Sequence, residues 1–304
     1  MSERIAFIGV GRMGGRMTKR LLDAGYDVVV FDPSAAAVAA LVDRGAHAAP
    51  SPAEAAQDAS FVLCSLPNPA ILREAVAGTG GVLEGAQPGS LIVDFSTGDP
   101  AVARELAALA AGKGVGFLDS PVSRGVVGAE NGTLAVMIGG DEEALERARP
   151  VLDHLASDIV HVGGVGAGQV TKLCNNMLTA IITTALGEIL VTGVKAGVDL
   201  EPLAAALGAG SAGTYVLSGY LPNTLFTEAR NPGFALALMR KDVGLFMKAA
   251  ADAGMELPLS QLAVERHEDA AAGGLDEADF TSIAELYERA AGLRLRLNPS
   301  EVTA

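Results

Sequence analysis

Short β-branched segments alternate with Ala- and Leu-rich segments through the first half of the chain. This alternation predicts strands at Arg4 to Gly9, Asp27 to Asp32, Ser60 to Ser65, Leu91 to Phe95, Gly116 to Asp119, Leu134 to Ile138 and Ile159 to Val162. It predicts helices between several of them, including Gly14 to Ala24, Ala35 to Arg44 and Pro100 to Ala111. Strands that alternate with helices form βαβ units, in which helices cover both faces of a parallel sheet. The first half is therefore expected to be an α/β domain built on a doubly wound parallel sheet.

Strand-like segments disappear after Gly163, and helical periodicity continues almost to the end of the chain. Helices are predicted at Gly168 to Ala196, Phe234 to Ala253 and Phe280 to Ala290. Start signals at Asp199 and Pro202 and stop signals at Gly254 and Gly292 agree with this pattern. We therefore predict a sheet domain at 1–164, a long helix joining the domains at 165–196, and an all-helical domain for substrate binding and subunit contacts at 197–304.

Three glycines in the spacing GxGxxG follow the first predicted strand. Gly9 allows a tight turn, Gly11 lets a pyrophosphate approach the backbone, and Gly14 lets the next helix pack against the strand. Asp32 ends the second strand, where its carboxylate can accept bonds from an adenosine ribose and repel a 2′-phosphate. The motif predicts a Rossmann-type domain that binds NAD. The alternatives are glycines that serve packing alone and an aspartate that caps the following helix.

Two more predicted strands end at the same edge of the sheet. Leu66 and Pro67 follow one of them, and Thr97 follows the other. Open α/β sheets bind ligands outside the carboxyl ends of their strands. We therefore assign these residues, with Arg12 and Met13 of the glycine-rich turn, to the cofactor site. A helix cap is an equal alternative for the threonine.

Four polar residues lie near one face of the predicted long helix. Lys172 precedes Asn175, Asn176 and Thr179 by three, four and seven residues. Their neighbours are apolar, so we expect this face to line a cleft rather than to be a solvated stripe. Desolvation there would lower the pKa of the lysine amine and suit it to proton transfer. The alternative is a lysine whose amine reaches water from the helix start.

Four segments of the chain together resemble a known family. They are GVGRMGGRM after the first strand, DSPVSRGVVGAENGTL at 119–134, GAGQVTKLCNNML at 166–178 and FALALMRKD at 234–242. In this order they are similar to the four motifs of the β-hydroxyacid dehydrogenase family, which includes 3-hydroxyisobutyrate, tartronate semialdehyde and sulfolactaldehyde dehydrogenases or reductases. The resemblance spans almost the whole chain. It implies an enzyme that interconverts a small 3-hydroxy acid and its semialdehyde with NAD(H).

The resemblance also implies roles for particular residues. Lys172 would be the catalytic acid and base, and Asn176 would orient the substrate or the lysine. Ser123 and Asn175 would contact the substrate, and Lys241 would close over the nicotinamide beside its family partner Asp242. Gly125 and Thr179 complete the predicted substrate site.

Arg124 departs from the family pattern. Most members read Pro-Val-Ser-Gly-Gly where this chain reads Pro-Val-Ser-Arg-Gly. An arginine adds a forked, permanently charged donor beside backbone N–H groups that normally bind a carboxylate. The position resembles the sulfolactaldehyde reductase branch, so a sulfonate substrate is predicted. The alternatives are an arginine that points outward and an ordinary carboxylate substrate such as 3-hydroxyisobutyrate, 4-hydroxybutyrate or tartronate semialdehyde.

Charge and composition limit the partners. The formal net charge of −14 disfavours nucleic-acid and anionic membrane surfaces, so the expected partner is a small anionic substrate. The two cysteines lie in apolar segments, and the apolar run before the glycines is too short for a signal peptide, which favours the cytoplasm. The four histidines show no metal spacing, and no metal is predicted. The long helix is apolar over more than one stripe, which predicts a homodimer or homotetramer.

A non-catalytic NAD-binding module is the competing class of function. Such a protein is expected to lack the lysine and to carry basic tails, whereas this chain keeps Lys172 and is acidic. Imine reduction and a decarboxylating reaction of the 6-phosphogluconate type are disfavoured, because the first usually lacks this lysine and the second needs a longer helical region.

Overall fold

A computed structural model describes residues 3–297 and divides the chain into two compact units, Met1–Lys172 and Leu173–Ala304. The boundary lies inside the long helix, which the sequence predicted at 165–196 as the segment that joins the domains. A helix is continuous along the chain, and its periodicity therefore carries no signal of where the packing partners change.

The first unit is built on a mixed sheet. In the described part of the chain its strands are β1 (Arg4–Ile8), β2 (Asp27–Phe31), β3 (His47–Ala48), β4 (Phe61–Cys64), β5 (Leu91–Asp94), β6 (Gly116–Asp119), β7 (Val122–Ser123), β8 (Leu134–Gly139) and β9 (Ala156–Gly163). Their order is β3-β2-β1-β4-β5-β6-β8-β7, and β9 pairs with β8. Pairing is parallel from β3 to β6 and between β8 and β9, and antiparallel where β8 meets β6 and β7.

Helices connect these strands. They are α1 (Gly14–Asp23), α2 (Ala35–Val42), α3 (Pro52–Ala56), α4 (Pro69–Ala77), α5 (Val82–Gly85), α6 (Pro100–Ala111), α7 (Gly125–Asn131) and α8 (Glu142–Leu152). The predicted Rossmann-type sheet is confirmed, and all seven predicted strands are present. The two-residue strands β3 and β7 were not predicted, because two residues are too few to show an alternating pattern.

Both faces of the sheet are buried, as parallel strands require. Ile5 and Phe7 of β1 point into one apolar cluster, while Ala6 and Ile8 point into the other. Successive side chains of a strand leave opposite faces of the sheet. The apolar run RIAFI therefore forms a central strand with helices on both sides.

The second unit is helical. The long helix α9 (Ala167–Lys195) begins in the first unit and is followed by α10 (Leu200–Ala209), α11 (Leu236–Asp252), α12 (Pro258–Ala272) and α13 (Glu285–Ala291). A π-helical turn at Val216–Tyr220 and 3-10 turns at Leu221–Asn223 and Phe280–Ala284 lie between them. The predicted stop signals Gly254 and Gly292 both have positive φ angles, as glycines at helix ends do.

The helix α9 is long and apolar enough to cross a membrane by length and composition alone. Its buried apolar residues include Leu173, Met177, Ala180 and Leu190, of which the last three belong to the apolar clusters of the second unit. It also carries buried polar residues. We therefore interpret α9 as a helix of the protein interior, in agreement with the sequence.

Candidate active site

The glycine-rich turn joins β1 to α1, and its three glycines have the different surroundings expected from the sequence. A Cβ on Gly9 would collide with the backbone of Ser65, and Gly9 has a φ of +87°. A Cβ on Gly14 would collide with the carbonyl of Gly9. A Cβ on Gly11 would meet nothing within 4 Å. Two glycines are therefore needed for packing, while the third leaves open space over the backbone, which fits the pyrophosphate of NAD.

Asp32 is attached to this turn. Its Oδ2 accepts the backbone N–H of Val10 at 2.8 Å, and its Oδ1 accepts that of Ser34 at 2.8 Å. The cap of α2 is Ser34, whose hydroxyl accepts the N–H of Ala37. The helix-cap alternative for Asp32 therefore does not describe this structure. Each carboxylate oxygen keeps a second lone pair, which can accept a ribose hydroxyl.

The strands beside β1 end level with it. The register pairs Ile8 with Cys64, Cys64 with Asp94, and Asp94 with Asp119. Because these strands are parallel, the loops that follow them lie side by side at the carboxyl edge of the sheet. The glycine-rich turn, Leu66, Pro67 and Thr97 all belong to this edge, as the sequence predicted.

The loops after β4 and β5 are joined by a hydrogen bond. The backbone N–H of Leu66 donates to the Oγ of Ser96 at 2.9 Å, and the N–H of Ser96 donates to Oδ1 of Asp94 at 3.0 Å. The cap of α6 is Asp99, which accepts the N–H of Ala101. Capping is therefore not the role of Thr97.

The start of α9 is attached to the same edge. The carboxylate of Asp119, at the end of β6, accepts the backbone N–H of Gly166 at 2.7 Å and that of Gln169 at 2.8 Å. The side-chain amide of Gln169 accepts the N–H of Gly98 at 2.8 Å and donates to the carbonyl of Ser96 at 2.8 Å. Sequence reasoning assigned no role to Asp119 or Gln169, although both lie inside the quoted motifs.

Burial raises the pKa of the Asp119 carboxyl from its ordinary 3.8 to about 6. The backbone N–H groups of Gly166 and Gln169 oppose the shift, because they stabilise the charged form. Asp119 is fully buried, so desolvation is the larger of the two effects.

Arg124 lies in the loop predicted to bind substrate, between β7 and α7. Its φ is +77°, a left-handed conformation that costs a non-glycine residue roughly 1–2 kcal/mol. Its Nη1 lies 2.7 Å from Oδ2 of Asp158 and donates to the Ser157 hydroxyl and the Thr133 carbonyl. The Ser157 hydroxyl and this guanidinium lower the pKa of Asp158. The guanidinium is therefore held on β9, and the sulfonate contact stays a prediction.

Lys172 is buried on α9, with 8% of its surface exposed. One turn further, Nδ2 of Asn176 donates to Oδ2 of Asp242 on α11 at 2.6 Å, and Oδ1 accepts from Asn175 Nδ2 at 2.9 Å. Lys241 Nζ lies 3.0 Å from the other Asp242 oxygen. The second unit thus gathers four of the residues that the sequence singled out.

Thr179 differs from this group. Its hydroxyl donates to the carbonyl of Asn175 in its own helix at 2.8 Å. A threonine in a helix commonly makes this bond to the preceding turn. A substrate contact by Thr179 stays a prediction, as do the contacts assigned to Ser123 and Gly125.

Two family models match the chain over most of its length. Residues 4–164 match the NAD binding domain of 6-phosphogluconate dehydrogenase. Residues 166–287 match the NAD-binding family described for NADP-dependent 3-hydroxyisobutyrate dehydrogenase. The chain belongs to the β-hydroxyacid dehydrogenase family. It is accordingly an NAD-dependent oxidoreductase, as its four motifs implied.

Relatives of this dehydrogenase match it along almost their whole length. The 3-hydroxyisobutyrate dehydrogenase of Pseudomonas aeruginosa is 40% identical over 294 residues, which cover 93% of this chain and 98% of the relative. The 3-sulfolactaldehyde reductase of Escherichia coli K12 is 33% identical over 293 residues, with 96% and 98% covered. The solved structure of the Mycobacterium tuberculosis 3-hydroxyisobutyrate dehydrogenase with L-serine has a TM-score of 0.88 and 37% identity, with 94% and 99% covered.

The carboxylate of Asp32 predicts a preference for NADH over NADPH. Its two backbone hydrogen bonds keep it from turning away from a 2′-phosphate. Repulsion and a lost ribose bond should cost about 2 kcal/mol, or ~30-fold in kcat/KM. Steady-state kinetics with both cofactors should show this ratio, and Asp32→Asn should reduce it. Asp43→Asn, the same change at an exposed residue of this unit, should leave it unchanged. A wild-type preference for NADPH would contradict the assignment.

Asp119 predicts a pH dependence of stability. Its pKa of about 6 in the folded protein exceeds the unfolded value of 3.8, so between these values the folded state holds the proton more tightly. The free energy of unfolding should therefore fall as pH rises from 4 to 6, by at most about 3 kcal/mol from this group. Asp119→Asn removes this titration. Urea denaturation should show a difference between the two proteins that changes across this window and is constant above pH 7. A difference that is constant from pH 4 upward would disprove the assignment.

Proposed function

We propose that this dehydrogenase interconverts a small 3-hydroxy acid and its semialdehyde, with Lys172 as the proton acid and base. The observation that carries the proposal is a buried lysine on α9, three residues after Gln169, whose backbone and side chain bond to the loops of the cofactor edge. A lysine amine can exchange a proton with a substrate hydroxyl, which is the acid and base role that we propose for Lys172.

The residues of this chain handle the proton and the substrate. When bound, NAD supplies the acceptor or donor of the hydride. During oxidation Lys172 takes the proton from the substrate hydroxyl oxygen, and during reduction it returns the proton to that oxygen. Asn176 is held by Asn175 and Asp242, so its amide is oriented before substrate binds. Ser123 and Gly125 are assigned to the substrate's acid group.

We favour a carboxylate as that acid group. The guanidinium of Arg124, which suggested a sulfonate, is engaged by Asp158, Ser157 and the Thr133 carbonyl. An arginine with two partners on β9 and one in the turn before β8 has a structural use that needs no ligand. The proposed substrates are therefore 3-hydroxyisobutyrate and its analogues with a carboxylate.

A sulfonate is the second candidate. Arg124 stands directly between Ser123 and Gly125, and the similarity to a 3-sulfolactaldehyde reductase supports this reading. A guanidinium fork matches the oxygens of a tetrahedral anion. The side chains of Arg124 and Asp158 are both exposed, so water competes with the ion pair between them.

The proposal extends to the location and the oligomeric state of the enzyme. We propose a cytoplasmic homodimer or homotetramer. Val170, Leu178 and Ile189 of α9 are exposed in the single chain, each by more than two fifths, and an apolar surface on a long helix is a common subunit contact.

Lys172→Ala tests the catalytic assignment. Loss of general acid and base assistance should lower kcat by roughly 10²- to 10⁴-fold. The dissociation constant for NADH, measured by its fluorescence, should change by less than about twofold, because the lysine lies outside the glycine-rich turn. Lys19→Ala, at an exposed residue of α1, is the matched control and should keep wild-type kcat. A Lys172→Ala variant with more than about a tenth of wild-type kcat would overturn the proposal.

Arg124→Gly separates the two substrate classes. The assay measures kcat/KM and KM for methylmalonate, succinic and tartronate semialdehydes and for sulfolactaldehyde. On the carboxylate proposal, wild-type enzyme prefers a carboxylate, and the variant changes each KM by less than about twofold. On the sulfonate alternative, the loss of one charge-assisted bond raises the KM for sulfolactaldehyde by roughly 10- to 150-fold. Asp158→Asn removes the charged partner of Arg124 on β9. If the substrate is a carboxylate, this variant should also change each KM by less than about twofold. If the substrate is a sulfonate, it should not raise the KM for sulfolactaldehyde.

A further inference from the structure

Gln169 makes an unusual pair of contacts for a residue in the first turn of a helix. The residue is 1% exposed, and its side chain reaches out of α9 to the backbone of the loop after β5. There its oxygen accepts the N–H of Gly98 and its nitrogen donates to the carbonyl of Ser96. A buried amide is costly unless its donor and acceptor are both used. Here both are used, and both join one loop to one helix.

A second attachment holds the backbone of the same turn. Asp119 at the end of β6 accepts the N–H groups of Gly166 and Gln169. The helix start also packs closely against β6 and β8, since a Cβ on Gly168 would lie 2.5 Å from the carbonyl oxygens of Asp119 and Met137. The first turn of α9 is therefore fixed by the ends of both β5 and β6.

The loop to which Gln169 is hydrogen-bonded is part of the predicted cofactor site. Ser96 also accepts the N–H of Leu66, so a continuous series of hydrogen bonds runs from the loop after β4, through the loop after β5, to α9. Lys172 lies three residues after Gln169, about 4.5 Å along the helix axis and near the same face. A rigid helix turn transmits any displacement at Gln169 to Lys172.

We propose that Gln169 is a positioning residue, which sets the location of the Lys172 amine relative to the loops that hold the cofactor. This inference rests on the proposed function of Lys172. Gln169 touches neither substrate nor the reacting atoms in this account, and it acts through the lysine. Its replacement should therefore change the rate of the chemical step much more than the binding of cofactor or substrate.

Gln169→Met is the test variant, because methionine keeps the length of the side chain and removes both hydrogen bonds. A displacement of 1 Å at a reacting group can cost about 10²-fold. We expect kcat to fall by roughly 10- to 100-fold, while KM and the dissociation constant for NADH change by less than about threefold. Gln57→Leu, at an exposed glutamine of the same unit, is the control and should change none of these quantities.

A double-mutant cycle with Lys172→Ala separates positioning from general damage. If Gln169 acts through the lysine, adding Gln169→Met to Lys172→Ala should lower kcat by less than about twofold further. Equal losses in both backgrounds would show a merely structural role and would overturn the inference. A wild-type kcat in Gln169→Met would also overturn it. Substantial kcat in Lys172→Ala alone would instead refute the proposed function.

Hydrogen exchange gives a readout that does not depend on turnover. Without cofactor, the backbone amides of 166–172 should exchange faster in Gln169→Met than in the wild type or Gln57→Leu, since one attachment of the turn is gone. Unchanged exchange there would contradict the inference. Should Gln169→Met not fold, Gln169→Glu keeps the shape and the acceptor for Gly98. Its kcat should fall below the wild type with unchanged KM, and a wild-type kcat would count against the role.

Discussion

The hydrogen bonds from the start of α9 to the carboxylate of Asp119 fix the helix turn that carries the site residues of the first unit. A helix begins with backbone N–H groups that have no partner within the helix, and two of those at the start of α9 are satisfied by this one side chain. A carboxylate has an acceptor oxygen for each of them, whereas an amide has only one. The direction in which α9 leaves the sheet, and with it the position of Lys172, follows from this attachment.

That attachment has an electrostatic cost. Burial disfavours the charged form of Asp119 and raises its pKa to about 6, even though the helix N–H groups oppose the shift. The chain therefore carries a carboxylate in its interior at neutral pH for a geometric reason. Rigid placement of a reacting group is worth more to an enzyme than the stability lost at one site, because small displacements reduce the rate steeply.

Arg124 shows how an expectation from the local sequence can differ from the contact found in the structure. Its neighbours in the chain placed it at a substrate loop, which suggested an anion in the ligand. Its partner Asp158 lies on β9, more than thirty residues away in the chain, and no local pattern indicates that pairing. The left-handed backbone at Arg124 is readily adopted by the glycine common in the family, so the arginine keeps the loop shape and gains contacts on β9.

The sequence alone determined the fold class and the glycine-rich turn, and it supplied the residues that we propose for the chemistry. These depend on local constraints, such as the apolar alternation of β1, the space that Gly11 leaves open and the helical spacing of Lys172 and Asn176. Only the tertiary structure decided that Gln169 bonds to the loop after β5, that Asp242 holds Asn176 and that the boundary between the two units falls after Lys172 within α9. The physical reason is that hydrogen bonds between segments far apart in the chain depend on how strands and helices are stacked, and periodicity does not record that stacking.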